Sequence, residues 1–196
     1  MRAALLTGHP FETGSGRLGR GLEVEAGPHS PTSASGAMKA ANEWEAIMLW
    51  GIDPFLDADL LYALRRMGHG DEIAVVDANF PAASTADSTV TGQPILMAGV
   101  SAARAAEAIL SVMPLDSFVP DPAMRMEVVN DPSAVPEVQK EVQKAVDQAM
   151  GKPFPMAGVE RFAFYERASR AFAIVVTGER RHYGCFLFKK GVLPEE

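Results

Sequence analysis

The 196-residue chain has a single cysteine, Cys185, so it cannot form an internal disulfide and has no thiol pair for a cysteine-based zinc site. Its four histidines (His9, His29, His69 and His182) are too scattered to make a cluster. No run approaches the ~18 consecutive apolar residues of a membrane span. The apolar stretch at residues 3–6 falls short of the about 7–15 residues of a secretory core, so the expectation is a cytoplasmic protein. Positive charge is also scarce, with 18 Lys and Arg against 25 Asp and Glu and a net charge of −7. That balance argues against nucleic-acid and membrane-surface binding, which concentrate positive charge. Also missing are a phosphate-cradling glycine loop followed by Lys-Ser/Thr, a dinucleotide fingerprint and a Gly-x-Ser-x-Gly elbow.

The residues that are present divide unevenly. Residues 1–47 hold 7 of the 17 glycines and no aspartate, and residues 14–36 are rich in Gly, Ser and Pro. Such a segment has little apolar area to offset its ordering entropy, so a flexible N-terminal extension is expected. A short helix-compatible pattern (Ala40, Ala41, Trp44, Ile47, Met48) follows at 39–50. Residues 48–196 carry 14 cationic and 20 acidic side chains, so nearly all the net charge lies there.

From Met48 onward the elements are dense. Asp57 is placed to cap a helix running to Met67, with Leu60, Leu61, Leu64 and Met67 on one stripe and Gly68 at its stop. Residues 72–77 are a near-continuous apolar run, as in a strand buried on both faces. A Ser/Thr/Ala-rich loop follows Pro81, then a weak strand near 94–97. Ser101 caps a helix to Met113, and Met124, Met126 and Val128 alternate with polar residues as in a strand. Pro136 opens a helix ending at Gly151. Residues 161–170 read as helix, with strands at 172–176 and 185–189. Strands alternating with helices predict an α/β fold, a three-layer α/β/α sandwich around a central, largely parallel or mixed sheet.

Four places carry chemistry. His69 lies between Gly68 and Gly70, on backbone that turns sharply and admits close approach. An imidazole titrates near neutrality and suits proton transfer, although a surface turn histidine without a role fits the same spacing. Asp77 ends the 72–77 strand, where ligands bind in open α/β sheets; an aspartate capping its own loop fits equally. Phe162, Phe164 and Tyr165 are too closely spaced for one helix face, so one ring should point to a second surface, a core or subunit contact. Residues 180–185 join polar and aromatic groups to the last strand, as a solvated hairpin-like connection would. Cys185, beside Phe186, Leu187 and Phe188, reads as a small buried apolar residue rather than a nucleophile.

Five segments, in order, resemble the L-fucose mutarotases, in the family that also contains the D-ribose pyranases. They are Met-Gly-His-Gly-Asp-Glu-Ile at 67–73, Asp-Ala-Asn-Phe-Pro at 77–81 and Leu-Asp-Ser at 115–117. Arg-Phe-Ala-Phe-Tyr-Glu-Arg-Ala at 161–168 follows, then Thr177-Gly178-Glu179 with Tyr183-Gly184 and Lys-Lys-Gly-Val at 189–192. The likeness spans about 48–194, so residues 1–47 are expected to be a dispensable extension, upstream sequence translated from an early start codon.

The resemblance implies an enzyme that interconverts the α and β anomers of a reducing monosaccharide, L-fucose foremost, without metal or organic cofactor. His69 matches the catalytic histidine and is expected to shuttle the proton. Asp77, Asp116, Tyr165 and Tyr183 match sugar-contacting positions, Arg161 a further position linked to the substrate site. Asp77 is expected to orient a sugar hydroxyl or the imidazole. Cys185 stands where the family usually has asparagine, so its substrate contact is left to the backbone there. The resemblance further implies a ring of identical subunits with sites near subunit contacts. Pyranose–furanose exchange, as in a ribose pyranase, and sugar binding without catalysis are the competing readings.

Overall fold

The computed structural model describes residues 49–193. The extension at 1–47, and the helix-compatible pattern at 39–50 apart from its last two residues, lie outside the described residues.

Among the described residues five helices and six strands follow one another: α1 (Ala58–Arg66), β1 (Glu72–Val76), α2 (Ala82–Ala86), β2 (Ile95–Met97), α3 (Ala102–Leu110), β3 (Ala123–Met126), α4 (Glu137–Met150), β4 (Ala157–Val159), α5 (Arg161–Ser169), β5 (Ala173–Thr177) and β6 (Phe186–Lys189). The expected caps are in place. The Asp57 carboxylate accepts from the Leu60 amide at 2.8 Å to open α1, and Ser101 does the same for Arg104 at α3. Gly151 ends α4 with φ +65°, a left-handed conformation that glycine adopts without a Cβ penalty.

The strands form one sheet in the order β2-β5-β1-β6-β3-β4. β1 pairs parallel with β5, β5 with β2 and β3 with β4, while β6 runs antiparallel to both β1 and β3. Five strands therefore point one way and β6 alone is reversed. Alternation along β1 sends Ile73 and Val75 to one face, where they pack with α1, α3 and α4 through Leu60, Leu64, Ile109 and Val142. Ala74 and Val76 face the other side, against Phe164 and Ala168 of α5 and Ala82 and Ala86 of α2. Helices on both faces of a mixed sheet make the three-layer sandwich expected from the alternation.

Three local expectations change. The segment after Pro81 folds into the five-residue α2 rather than a loop. The three-residue β4 joins the sheet edge where no strand was expected. Residues 180–185 do not form a hairpin-like connection, because β1 lies between β5 and β6 and the chain must cross over it.

Candidate active site

The turn before β1 carries His69. Gly70 takes φ +86°, and its amide donates to the Lys190 carbonyl at 2.8 Å, tying the turn to the end of β6. The Lys190 ammonium donates to the Leu64 and Met67 carbonyls, both at 2.7 Å, closing the exposed end of α1 just before His69. His69 is thus held at both flanks while its side chain stays about half exposed, at 47%.

Asp116 completes this end. Its backbone amide donates to the Lys189 carbonyl at 3.0 Å, continuing the β6 ladder. The side chain is buried; Oδ1 accepts from the Phe118 amide at 3.0 Å and Oδ2 faces His69 Nε2 at 3.1 Å. The Phe118 amide, and after it the His69 ring, hold this carboxyl below the usual carboxylate range. An ionised carboxylate only accepts, so Nε2 carries the imidazole proton and Nδ1 is left as the basic nitrogen. The exposed Phe118 ring meets the imidazole edge-on at 5.8 Å and forms one wall beside it.

The carboxyl ends of β1, β3, β4 and β5 meet at the opposite edge of the sheet, together with the start of β6. Asp77 is buried there; Oδ1 accepts from the Asn79 amide at 3.0 Å, and Oδ2 accepts from the Cys185 thiol at 3.4 Å. The loop-capping alternative for Asp77 is therefore real. Burial and then the Asp77 charge push the Cys185 thiol well above its ordinary pKa, so it stays protonated as a donor. A Cβ at Gly184 would lie 2.9 Å from Glu179 Cγ and 3.3 Å from Asp77 Cβ, so a larger residue at this corner would have to displace the buried Glu179 side chain.

Tyr183 takes φ +63° in the same loop, and its hydroxyl accepts from the Val129 amide at 3.3 Å. Glu179, buried behind it, is held at a pKa of about 2 by the Arg181 guanidinium, which also bridges to Glu141 of α4 at 2.7 Å. The helix after β4 adds Arg161 and Tyr165. Tyr165 packs edge-on against Phe80 at 5.2 Å. Arg161 lies over the Phe162 ring at 4.6 Å, and its Nε is buried with no acceptor among the described residues. Of the aromatic cluster, Phe164 is fully buried, Phe162 exposed and Tyr165 half-buried, so the three rings serve different surfaces.

The candidate residues thus form two groups. His69 and Asp116 sit at one edge of the sheet; Asp77, Arg161, Tyr165, Tyr183 and Cys185 belong to the other. The five residues of β1 separate them by roughly 15–20 Å at ~3.3 Å per residue, more than a monosaccharide spans. Within one chain Asp77 does not orient the imidazole; Asp116 does. Gln139, Glu179, Arg181 and Lys190 turn out to hold these groups. The contacts of Gln139 and Lys190, and that of Arg181 with Glu141, cross between elements far apart in sequence, so spacing gives no sign of them, whereas Glu179 and Arg181 pair two residues apart. Among the described residues, no three His, Cys, Asp or Glu side chains converge as metal ligands would, and no helix is long and apolar enough to cross a membrane.

Comparison with known proteins bears on this arrangement. Residues 50–193 match the RbsD / FucU transport protein family. The chain is 43% identical over 152 residues to a fucose mutarotase from Bos taurus, covering 75% of this chain and 95% of that protein. Its fold superposes on that of protein Atu2016, a candidate sugar-binding protein, with a TM-score of 0.74 and 53% identity over 75% of this chain and 97% of that one. It also superposes on the fucose mutarotase of Streptococcus pneumoniae in complex with L-fucose, with a TM-score of 0.65 and 35% identity over 74% of this chain and all of that one. The chain belongs to the RbsD / FucU transport protein family.

Proposed function

We propose that this protein is a mutarotase that interconverts the α and β anomers of L-fucose. The observation that carries the proposal is the His69–Asp116 pair: an accessible imidazole whose tautomer is set by a buried, ionised carboxylate. The likeness to fucose mutarotases over three quarters of the chain supports L-fucose as the substrate.

The reaction asks for little more. His69 Nδ1 removes the proton from the anomeric hydroxyl as the C1–O5 bond breaks and O1 becomes the aldehyde oxygen. The ring oxygen takes up a proton, delivered by the imidazolium or by a tyrosine hydroxyl. C1 then rotates and the ring closes on the other face by the reverse transfers. Positioned proton transfer contributes about 10²–10⁴-fold. Asp116 does not react; it holds the ring and stabilises the imidazolium.

The sugar's other hydroxyls need donors and acceptors beyond the His69–Asp116 pair. Asp77, Arg161, Tyr165 and Tyr183 have them, with backbone groups near Cys185, but at the far edge of the same subunit. A complete site therefore forms where the His69 edge of one copy meets the Asp77 edge of another, head to tail, in a closed ring. Three features support this contact: the exposed Phe118 and Val192 on the His69 side, Phe162 on the other, and the unpaired Arg161 Nε. Residues 1–47 lie outside the segment that matches the family, and on this reading the reaction does not need them.

Saturation-transfer NMR on L-fucose, D-ribose and D-galactose tests the proposal. Accelerated anomer exchange with L-fucose supports it. Ribose pyranose–furanose exchange alone would assign a pyranase, and line broadening without faster exchange a sugar binder.

A further inference from the structure

Gln139, on the first turn of α4, is fully buried in a face otherwise made of Val138, Val142, Ala145 and Val146. A primary amide is costly in such a place unless its polar atoms are matched, and these are. Nε2 donates to the Met126 carbonyl at 2.7 Å and to the Tyr183 carbonyl at 3.0 Å, while Oε1 accepts from Arg125 Nη1 at 3.2 Å. The amide orientation follows from this chemistry. A guanidinium only donates, so the oxygen faces Arg125; carbonyls only accept, so the nitrogen faces them. Arg125 is itself fixed by the Pro132 carbonyl at 3.1 Å.

The Tyr183 end of the network is unusual. A tyrosine at φ +63° occupies a region that L side chains rarely adopt and that must be imposed by surrounding contacts. Gln139 grips its carbonyl, the Val129 amide holds its hydroxyl, and Met126, whose carbonyl shares the same amide, ends the strand leading to Val129. With its oxygen accepting from Val129, the Tyr183 hydroxyl keeps its own hydrogen for donation to a ligand.

We infer that Gln139 is a positioning residue for the sugar site: it locks Tyr183 in the left-handed conformation that aims its hydroxyl at substrate. This rests on the reading that Tyr183 contacts the sugar. Gln139→Leu removes both donors, and Gln139→Glu keeps the shape while placing acceptors against the two carbonyls. Either variant is expected to raise KM for anomer exchange about tenfold, with kcat within about twofold of the parent. In a Tyr183→Phe background the same substitution should change KM little, because the hydroxyl it aims is gone. Backbone chemical shifts of Tyr183, which distinguish left-handed from right-handed geometry, should lose their left-handed signature in both variants. That readout needs no activity, so it still decides the role of Gln139 if the parent fails to exchange L-fucose, a result that would count against the functional reading alone. Unchanged shifts in a folded Gln139 variant, or an equal KM increase with and without the Tyr183 hydroxyl, would overturn the inference.

Discussion

Asp116→Asn is the smallest change that separates the imidazole from its orienting charge. In the parent, Oδ1 accepts from the Phe118 amide at 3.0 Å and Oδ2 accepts from His69 Nε2 at 3.1 Å, so both carboxylate oxygens are occupied by donors. Asparagine offers one oxygen. If that oxygen keeps the Phe118 amide, the new NH₂ faces Nε2, which must then give up its proton and accept. The imidazole proton moves to Nδ1, and the nitrogen that faces substrate is no longer basic. If the amide turns over, its NH₂ opposes the Phe118 N–H and the turn beneath the ring loses its anchor. The first arrangement removes the general base and the second displaces it, so the exchange rate should fall, by about 10²-fold or more where the tautomer is reversed, within the range that positioned proton transfer supplies. Protonating Asp116 has the same consequence, but its lowered pKa defers that event to below the usual carboxylate range. The assay is saturation transfer between the L-fucose anomers at several protein concentrations, with thermal unfolding run in parallel to confirm the fold. A folded Asp116→Asn protein that exchanges anomers as fast as the parent would refute the reasoning.

Three other outcomes are expected. Gly191→Ala puts a methyl 2.5 Å from the Leu115 carbonyl oxygen and 2.9 Å from Asp116 Cα; it should cost about 1–3 kcal/mol in thermal or urea unfolding and slow exchange by displacing Asp116. Arg181→Met removes the guanidinium that holds Glu179 at a pKa of about 2. Glu179 is depressed on folding, so its stabilisation is present above the unfolded value of ~4.3 and lost as pH falls through about 2; the variant should unfold at a higher acid midpoint, with about 1–3 kcal/mol lost at neutral pH. Deleting residues 1–47 should leave the exchange rate and the unfolding midpoint unchanged; loss of activity in the folded truncation would show that the extension contributes to the site.

Much of this architecture is written in local pattern. Asp57 and Ser101 announce their helices because a side-chain acceptor before an apolar stripe has few other uses, and the short, β-branched runs at 72–77 and 172–176 read as strands buried on both faces. α2 and β4 escape that logic. α2 is five residues with no side-chain cap, and the Ala-Gly-Val of β4 is a strand only because β3 lies alongside. The crossover of residues 178–185 was equally illegible, since nothing in those residues says that β1 will intervene between β5 and β6.

The candidate site divides in the same way. His69 between two glycines and Asp77 at a strand end are visible from sequence because their chemistry and position coincide. Asp116 has no such signal, following an ordinary loop, and entered only through the family resemblance; its contact with His69 depends on β6 carrying Lys189 alongside Leu115 and Asp116. Gln139 interrupts an apolar stripe on a helical wheel, and only its packed partners, the Met126 and Tyr183 carbonyls and Arg125, explain it. The separation of His69 from Asp77 follows from one strand's length, yet it changes the meaning of both residues, since in the proposed ring each is half of a site.

The central claim is that catalysis needs the His69 edge of one subunit and the Asp77 edge of another. Mixing two slow variants, His69→Ala and Asp77→Ala, tests it most directly, after subunit exchange under mild denaturation. In a random one-to-one ring, about a quarter of the contacts combine two intact edges, so anomer exchange of L-fucose should recover to about that fraction of the parent rate. A mixture whose subunits demonstrably exchange, yet which stays as slow as either variant alone, would contradict the account.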